Sequence, residues 1–429
     1  MLRTHYVDEI GADMDGMKVT IGGWAHEIRE TSKITFLILR DSTGLAQVIG
    51  KAGEAKPEVI KKMSVPKESV LLVRGTIKAN KESMGGFEIV PEEIENLNPL
   101  SARIPFEVTG KVPAEIDVRL NYRYIDLRRP QARAVFSIES TILNTFTQYL
   151  SGKGFTQIRT PCIISEASEG GAEVFEIKYF DRKAFLAQSP QLYKQLSVIG
   201  GLDRVMMVVP VMRAEKSNTA YHLTECTQMD IEMAFADADD VIEILEGTVL
   251  YTIKSVMEEN ADDLKSLGVK LELPQIRRVT YTEAVDRLAK HGHKIEHGDD
   301  FSKQHEGALQ ELYGDAVVVK DFPAKARAFY SMPKEGNEEL TNSFDFIYKG
   351  FEICSGAQRI HDPEMLIKSL KKKGIDHKGF DFYINAFRCG APPHAGWSIG
   401  LERFGMCICG LSNIREASLF PRDPKRINP

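Results

Sequence analysis

Apolar and polar residues alternate through the first hundred positions. Lys18–Trp24 and Ile34–Arg40 each place an apolar residue at every second position, which predicts half-buried strands. Asp41-Ser-Thr-Gly44 reads as a turn into a third strand, Leu45–Ile49. Residues 54–63 suit a short helix with Ile60 and Met63 inward, and Val70–Ile77 and Phe87–Val90 supply two more strands. Three strands, a helix and two strands is the order of an OB-fold, a barrel that commonly binds single-stranded nucleic acid. The pattern alone suits another small barrel equally well.

Beyond residue 130 the period changes. Val135, Ile138, Ile142, Phe146 and Leu150 recur at helical spacing, Gly154 ends the helix, and Phe155–Pro161 is extended. Further strands (Arg204–Val211, Gln228–Ala234, Glu352–Cys354) mix with helices (239–258, 363–373 and 401–410). This predicts an α+β domain on an antiparallel sheet. The expected division is a β-barrel domain at 1–102, a hinge rich in Pro, Arg and Asp at 103–132, and the α+β domain at 133–429.

Composition narrows the class. The apolar fraction of 43% and charged fraction of 27% are those of a globular protein, and no stretch has the length and apolarity of a membrane helix. The opening Met-Leu-Arg-Thr-His-Tyr-Val-Asp-Glu lacks a signal-peptide pattern, and six scattered cysteines form no Cys-x-x-Cys pair. A cytoplasmic protein with reduced thiols is expected. A net charge of −6 argues against a polybasic nucleic-acid binder, so any nucleic acid must be read by a shaped surface.

Two segments concentrate the chemistry. Glu352-Ile-Cys-Ser-Gly-Ala-Gln-Arg359 sets a carboxylate, a hydroxyl and a guanidinium on one strand, and Ser398-Ile-Gly-Leu-Glu-Arg403 ends at an apolar run. Upstream, Arg213-Ala-Glu215 opens a polar loop that closes into Thr227–Glu232. Arginines set beside carboxylates, with no Gly-rich phosphate loop, suit a site that holds polyphosphate and metal by side chains. His291, His293 and His297 lie in a polar stretch and are expected to be solvated.

In order along the chain, these pieces resemble the three signature motifs of class II aminoacyl-tRNA synthetases. The helix, strand and Pro161 are similar to motif 1, a dimer interface in that family; Arg213 through Glu232 to motif 2; Gly400–Arg403 and its helix to motif 3. Gln188-Ser-Pro-Gln-Leu-Tyr-Lys-Gln195, Ser355–Arg359 and the ending Phe420–Arg426 resemble the aspartyl enzymes, and the Arg3-Thr-His-Tyr start their archaeal and eukaryotic branch.

The resemblance implies attack of the aspartate α-carboxylate on the ATP α-phosphate, then transfer of the aspartyl group to tRNA(Asp), with Mg²⁺, in a homodimer. Arg213, Glu215 and Arg403 are the implied catalytic residues, with Tyr221, His222, Leu223, Glu352 and Gly400 completing the ATP site. Glu352 and Ser355 would hold Mg²⁺, and Asp345 is either a further ligand or a strand-end cap. Arg359 and Lys194 would meet the aspartate β-carboxylate, with Glu169, Gln191, Asp230, Arg213 and Ser355 around the rest of the amino acid. A site built on cations would reject the neutral amide by up to ~10⁴-fold. In the barrel, Phe36 and Gln47 match positions that stack on and hydrogen-bond the middle anticodon base, with Arg29 and Glu88 as further contacts.

The chain departs from the pattern in several places. Cys226 stands where motif 2 has an aromatic, Tyr221 where many relatives carry arginine, and Trp397-Ser398 where glycine is common. His26 stands where relatives restricted to tRNA(Asp) tend to carry tryptophan and relaxed ones histidine, so charging of tRNA(Asn) as well is expected. A ligase strict for tRNA(Asp), an asparaginyl or asparagine-forming paralogue, and a non-catalytic tRNA-binding protein are the competing readings.

Overall fold

A computed structural model of the chain describes residues 1–166, 174–216 and 218–429. They group into two units, Met1–Glu107 and Val108–Pro429.

In the first unit, β1 (Lys18–Glu30), β2 (Ile34–Arg40), β3 (Leu45–Lys51), β4 (Val70–Ala79) and β5 (Phe87–Asn98) close into a barrel in the order β1-β2-β3-β5-β4. The alternation decides which side chains fill it: Val19, Ile21, Leu37, Leu39, Val48, Val73 and Ile89 point inward and are buried. The helix α1 (Pro57–Lys61) is shorter than expected because Pro57 fixes its start, while Met63 is fully buried just past its end. One irregularity matters. The β1–β2 register slips between Ala25 and Glu27, so His26 is an extra residue in the ladder.

The second unit is built on an eight-stranded sheet. Its strands are β6 (Thr156–Gln157), β7 (Arg204–Met212), β8 (Glu225–Ala234), β9 (Ile276–Thr280), β10 (Ala316–Lys320), β11 (Ser343–Tyr348), β12 (Phe351–Arg359) and β13 (His394–Gly400). The order is β9-β10-β11-β12-β13-β8-β7-β6. Its centre is antiparallel as expected, but both edge pairs, β6–β7 and β9–β10, are parallel, which makes the sheet mixed. One face packs on α2 (Pro130–Gly152) and α3 (Ala238–Glu259), burying Ile138, Ile142, Phe146, Leu245 and Val249 against Ile231, Phe346, Trp397 and Ile399. The other face of β11, β12, β13 and β8 carries polar residues.

Part of the stretch read as a hinge is ordered into the second unit. Ile116–Asn121 and Arg123–Asp126 are short helices, and the buried Arg123 donates to Asp126 and to the carbonyls of Glu416, Ser418 and Leu419. A fully buried guanidinium needs such partners, and its three carbonyl acceptors lie about three hundred residues away, where local sequence gives no sign of them. Among the described residues, no helix is long and apolar enough to cross a membrane, and all six cysteines are free.

Candidate functional site

Strand register builds the site floor. Asp230 of β8 lies opposite Ser398 of β13, Ser398 opposite Ser355 of β12, and Ser355 opposite Asp345 of β11. Four strands thus contribute one polar row to one face. The next row runs Glu232, Gly396, Ala357, Ser343. Gly396 is required there, because a Cβ would come within 2.1 Å of the Glu232 carboxylate and 2.3 Å of the Ile231 carbonyl.

One end of the floor holds two buried cations joined to two buried carboxylates. The Lys194 ammonium lies 2.6 Å from Asp230 and 3.4 Å from Glu232. Arg359 clasps both Glu232 oxygens through Nε and Nη2, at 2.9 and 3.2 Å. Burial works to raise the Glu232 carboxyl, but the Arg359 and Lys194 charges outweigh it and hold it below the usual carboxylate range. Ser398 donates to the second Asp230 oxygen at 2.8 Å. Gln191 donates to Gln195, whose amide group also meets Tyr383 and His394. Arg359 thus already has a bidentate partner in Glu232, which the sequence reading did not assign. Its Nη1 makes no hydrogen bond among the described residues.

The adjoining cleft is lined by Arg213, Glu215, Tyr221, His222, Glu352 and Arg403, together with Leu223, Ser355 and Gly400. The Arg213 guanidinium makes no hydrogen bond among the described residues. Glu215 lies 3.7 Å from His222, whose other ring nitrogen meets Thr219 at 2.6 Å. Arg403 sits in the first turn of α4 (Leu401–Ile408) and donates to the Glu352 carbonyl at 2.7 Å, which offsets part of its unfavourable position at a helix N-terminus. Cys226 also lines the cleft, and burial pushes its thiol up to about 12. Tyr221 lines the cleft and packs against Phe351 with ring centroids 5.2 Å apart, and the Lys303 ammonium lies over both rings.

Next to the cleft lies a group of acids. Burial, and then the Asp345 charge, push the Glu352 carboxyl up to about 8, and burial also raises Asp300 and Glu306. Asp345 is neither a strand-end cap nor a free ligand. It lies within β11, and the largely buried Arg327 holds both its oxygens. The Glu352 carboxylate makes no hydrogen bond among the described residues, and Ser355 is exposed beside it in the same strand. No group of three or more acidic, His or Cys ligands forms a metal cage among the described residues. One open carboxylate and a hydroxyl suit an Mg²⁺ ion whose remaining ligands are substrate phosphate and water. Glu169 lies outside the described residues.

On the barrel, the bulge turns both His26 and Glu27 outward. Beyond it Arg29 stands opposite Phe36, and Gln47 opposite Ile38, on the same outer face. Phe36 is half-buried and outside the barrel core, unlike its neighbours Leu37 and Leu39. Exposed Arg29 pairs with Glu27 at 3.1 Å. Gln47 donates to Ser83, Ser83 donates to Glu88, and Glu88 also accepts from Asn80. Glu88 is buried, so it braces Gln47 through Ser83.

Sequence reasoning missed Glu232, Ser398, Arg327, Gln195 and Ser83. Glu232 had a usable signal, since it shares a strand face with Asp230 two residues away. Arg327 had none, lying in a loop that only the fold brings to Asp345.

Comparison with known proteins follows this geometry. Residues 115–424 match the family described as tRNA synthetases class II (D, K and N), and residues 19–97 the OB-fold nucleic acid binding domain. The chain belongs to the class II aminoacyl-tRNA synthetases, enzymes that use ATP to join an amino acid to tRNA. Within that class it is 44% identical, over all of its length and 98% of the relative's, to the aspartate–tRNA(Asp/Asn) ligase of Methanocaldococcus jannaschii. It is 42% identical, over 99% of each chain, to the aspartate–tRNA(Asp) ligase of Thermoplasma acidophilum. The asparaginyl-tRNA synthetase of Pyrococcus horikoshii, solved with asparaginyl-adenylate, superposes with a TM-score of 0.94 at 32% identity over the whole of both chains.

Proposed function

We propose that this protein activates L-aspartate with ATP and transfers it to both tRNA(Asp) and tRNA(Asn). The observation that carries the amino-acid choice is the pair of buried cations, Lys194 and Arg359, at one end of the sheet floor beside the cleft. The neutral amide of asparagine would leave them less well paired, whereas a β-carboxylate completes the Arg359 Nη1 edge.

In this reading the α-carboxylate attacks the ATP α-phosphorus, forming aspartyl-adenylate and expelling pyrophosphate. Charge grows on oxygens, so positioning and electrostatics do the catalysis. Arg213 spans the α-phosphate and the substrate carboxylate. Glu215 accepts from the adenine amino group, while His222 and Arg403 meet the outer phosphates. Tyr221, Leu223 and Gly400 shape the cleft. Asp230 and Gln191 orient the amino group. Glu352 and Ser355 would hold Mg²⁺, which supplies charge neutralisation for the phosphates when bound. The ribose hydroxyl of tRNA then attacks the aspartyl carbonyl and releases AMP.

Phe36 stacks on an anticodon base, with Gln47 and Arg29 around it and the buried Glu88 bracing Gln47 through Ser83, and His26 governs which tRNA is admitted. The assembly is a cytoplasmic homodimer through the motif 1 region, and the exposed Ile163, Tyr179 and Phe180, in and beside the small sheet that follows it, offer apolar surface to a second copy. ATP–pyrophosphate exchange tests the first step: it should depend on aspartate and not on asparagine. Exchange driven by asparagine would overturn the assignment.

A further inference from the structure

The outer face of the barrel holds a buried ion pair that neither the active site nor the barrel core uses. Arg40, the last residue of β2, is 3% exposed although its side chain points away from the core. Its Nη2 lies 2.7 Å from a Glu68 carboxylate oxygen, and its Nη1 lies 2.7 Å from the Nδ1 of His26. Its guanidinium also sits over the Trp24 ring at 5.9 Å. Glu68 adopts a left-handed φ of 70°, and its N–H donates to the Ala25 carbonyl at 2.7 Å. Two features here oppose stability: a desolvated ion pair and a non-glycine residue in a strained conformation. Both are kept at the point where a bulge turns His26 outward.

A guanidinium can only donate, so the His26 Nδ1 must accept. The ring is then neutral and carries its proton on Nε2, which has no partner among the described residues. Burial, and then the Arg40 charge, hold the ring below its ordinary range, against the weaker pull of Glu68, Glu107 and Glu27.

We propose that Arg40, clamped by Glu68, is a specificity-positioning residue that fixes His26 as a neutral Nε2–H donor. This rests on the reading of His26 as the residue that governs tRNA choice. The chemistry explains a relaxed choice. Aspartate and asparagine codons differ in one letter, G against A, so the discriminating anticodon base is cytosine or uracil. Uracil presents the O4 acceptor where cytosine presents its N4 amino donor, so a fixed donor supports the uracil of tRNA(Asn). The opposite tautomer, with Nε2 accepting, would favour the cytosine amino group and hence tRNA(Asp).

The test is the ratio of kcat/KM for tRNA(Asn) over tRNA(Asp), measured on the full chain from pH 6 to 8. In the unaltered protein the ratio is flat. Arg40→Met combined with Glu68→Met removes both charges together; the ratio then falls roughly three- to tenfold, the worth of one hydrogen bond, and varies with pH near the ordinary imidazole value of ~6.5. A flat, unaltered ratio in the double variant overturns the proposal. Should that variant not fold, ¹⁵N shifts of His26 in the unaltered protein decide, since a ring protonated on Nδ1 overturns it equally. His26→Ala separates the two claims. If it leaves the ratio unchanged, the reading of His26 falls and this proposal with it. If it shifts the ratio while the double variant does not, only the role of Arg40 falls.

Discussion

At the scale of single residues, the proposed amino-acid choice turns on the charges around Lys194. With the ammonium at 2.6 Å from Asp230 and 3.4 Å from Glu232, Lys194→Met would leave carboxylates buried with one cation between them. Removing one partner of a buried pair costs ~2–5 kcal/mol, so aspartate-dependent exchange should lose about a hundredfold or more in kcat/KM. A loss under tenfold would mean that Lys194 does not face the substrate. Gly396→Ala tests the floor from beneath, since the added methyl collides with the Ile231 backbone and with Glu232. It should raise the KM for aspartate and lower the unfolding temperature, the overpacking costing ~1–3 kcal/mol. Residue types, with the resemblance to class II synthetases, singled out Arg213, Lys194, Glu352, Arg359 and Arg403 as candidates. They could not reveal that Arg359 is held by Glu232, 127 positions away, or that Arg327 occupies Asp345. Pairings of that kind exist only after the sheet has formed.

At the scale of elements, strands and helices with a clean period were legible: the barrel strands, α2 and the strands of motif 2. The bulge at His26 was not, because Ala25-His26-Glu27 carries no glycine or proline to mark it. Nor were the parallel edge strands, whose partners are set by tertiary contact. The α2 helix carries a testable oddity, Glu139, which is buried with its Oε1 unpaired among the described residues. Burial, and then the Glu402 charge, hold its carboxyl well above the usual range. A carboxyl raised by folding contributes its full stability below the unfolded value of ~4.3 and loses it as pH climbs toward the folded value, by about 1.4 kcal/mol per unit. Glu139→Gln cannot titrate. Its unfolding temperature relative to the parent should therefore improve from pH 5 to pH 8. A difference constant across that range would show that Glu139 is already ionised in the fold.

At the scale of the molecule, the proposed function divides between the two units: the barrel would select RNA and the sheet would activate the amino acid. Amino-acid choice and tRNA choice should therefore respond to different substitutions. Phe36→Ala should lower kcat/KM for tRNA charging by roughly five- to a hundredfold, the value of one base stacked on an aromatic. The loss should be the same for tRNA(Asp) and tRNA(Asn), whose middle base is identical. Unequal losses would place Phe36 against the discriminating base instead. His26→Trp should act in the complementary way, lowering the tRNA(Asn) rate relative to tRNA(Asp), and an unchanged ratio would end the case for His26. Overall resemblance does not decide this breadth, because relatives named for one tRNA and for both lie at 42% and 44% identity.

The most direct measurement is charging of labelled aspartate onto purified tRNA(Asp) and tRNA(Asn), each alone. The account predicts that both are charged. Charging of tRNA(Asp) alone would contradict the relaxed choice ascribed to His26, and charging of neither would contradict the ligase itself.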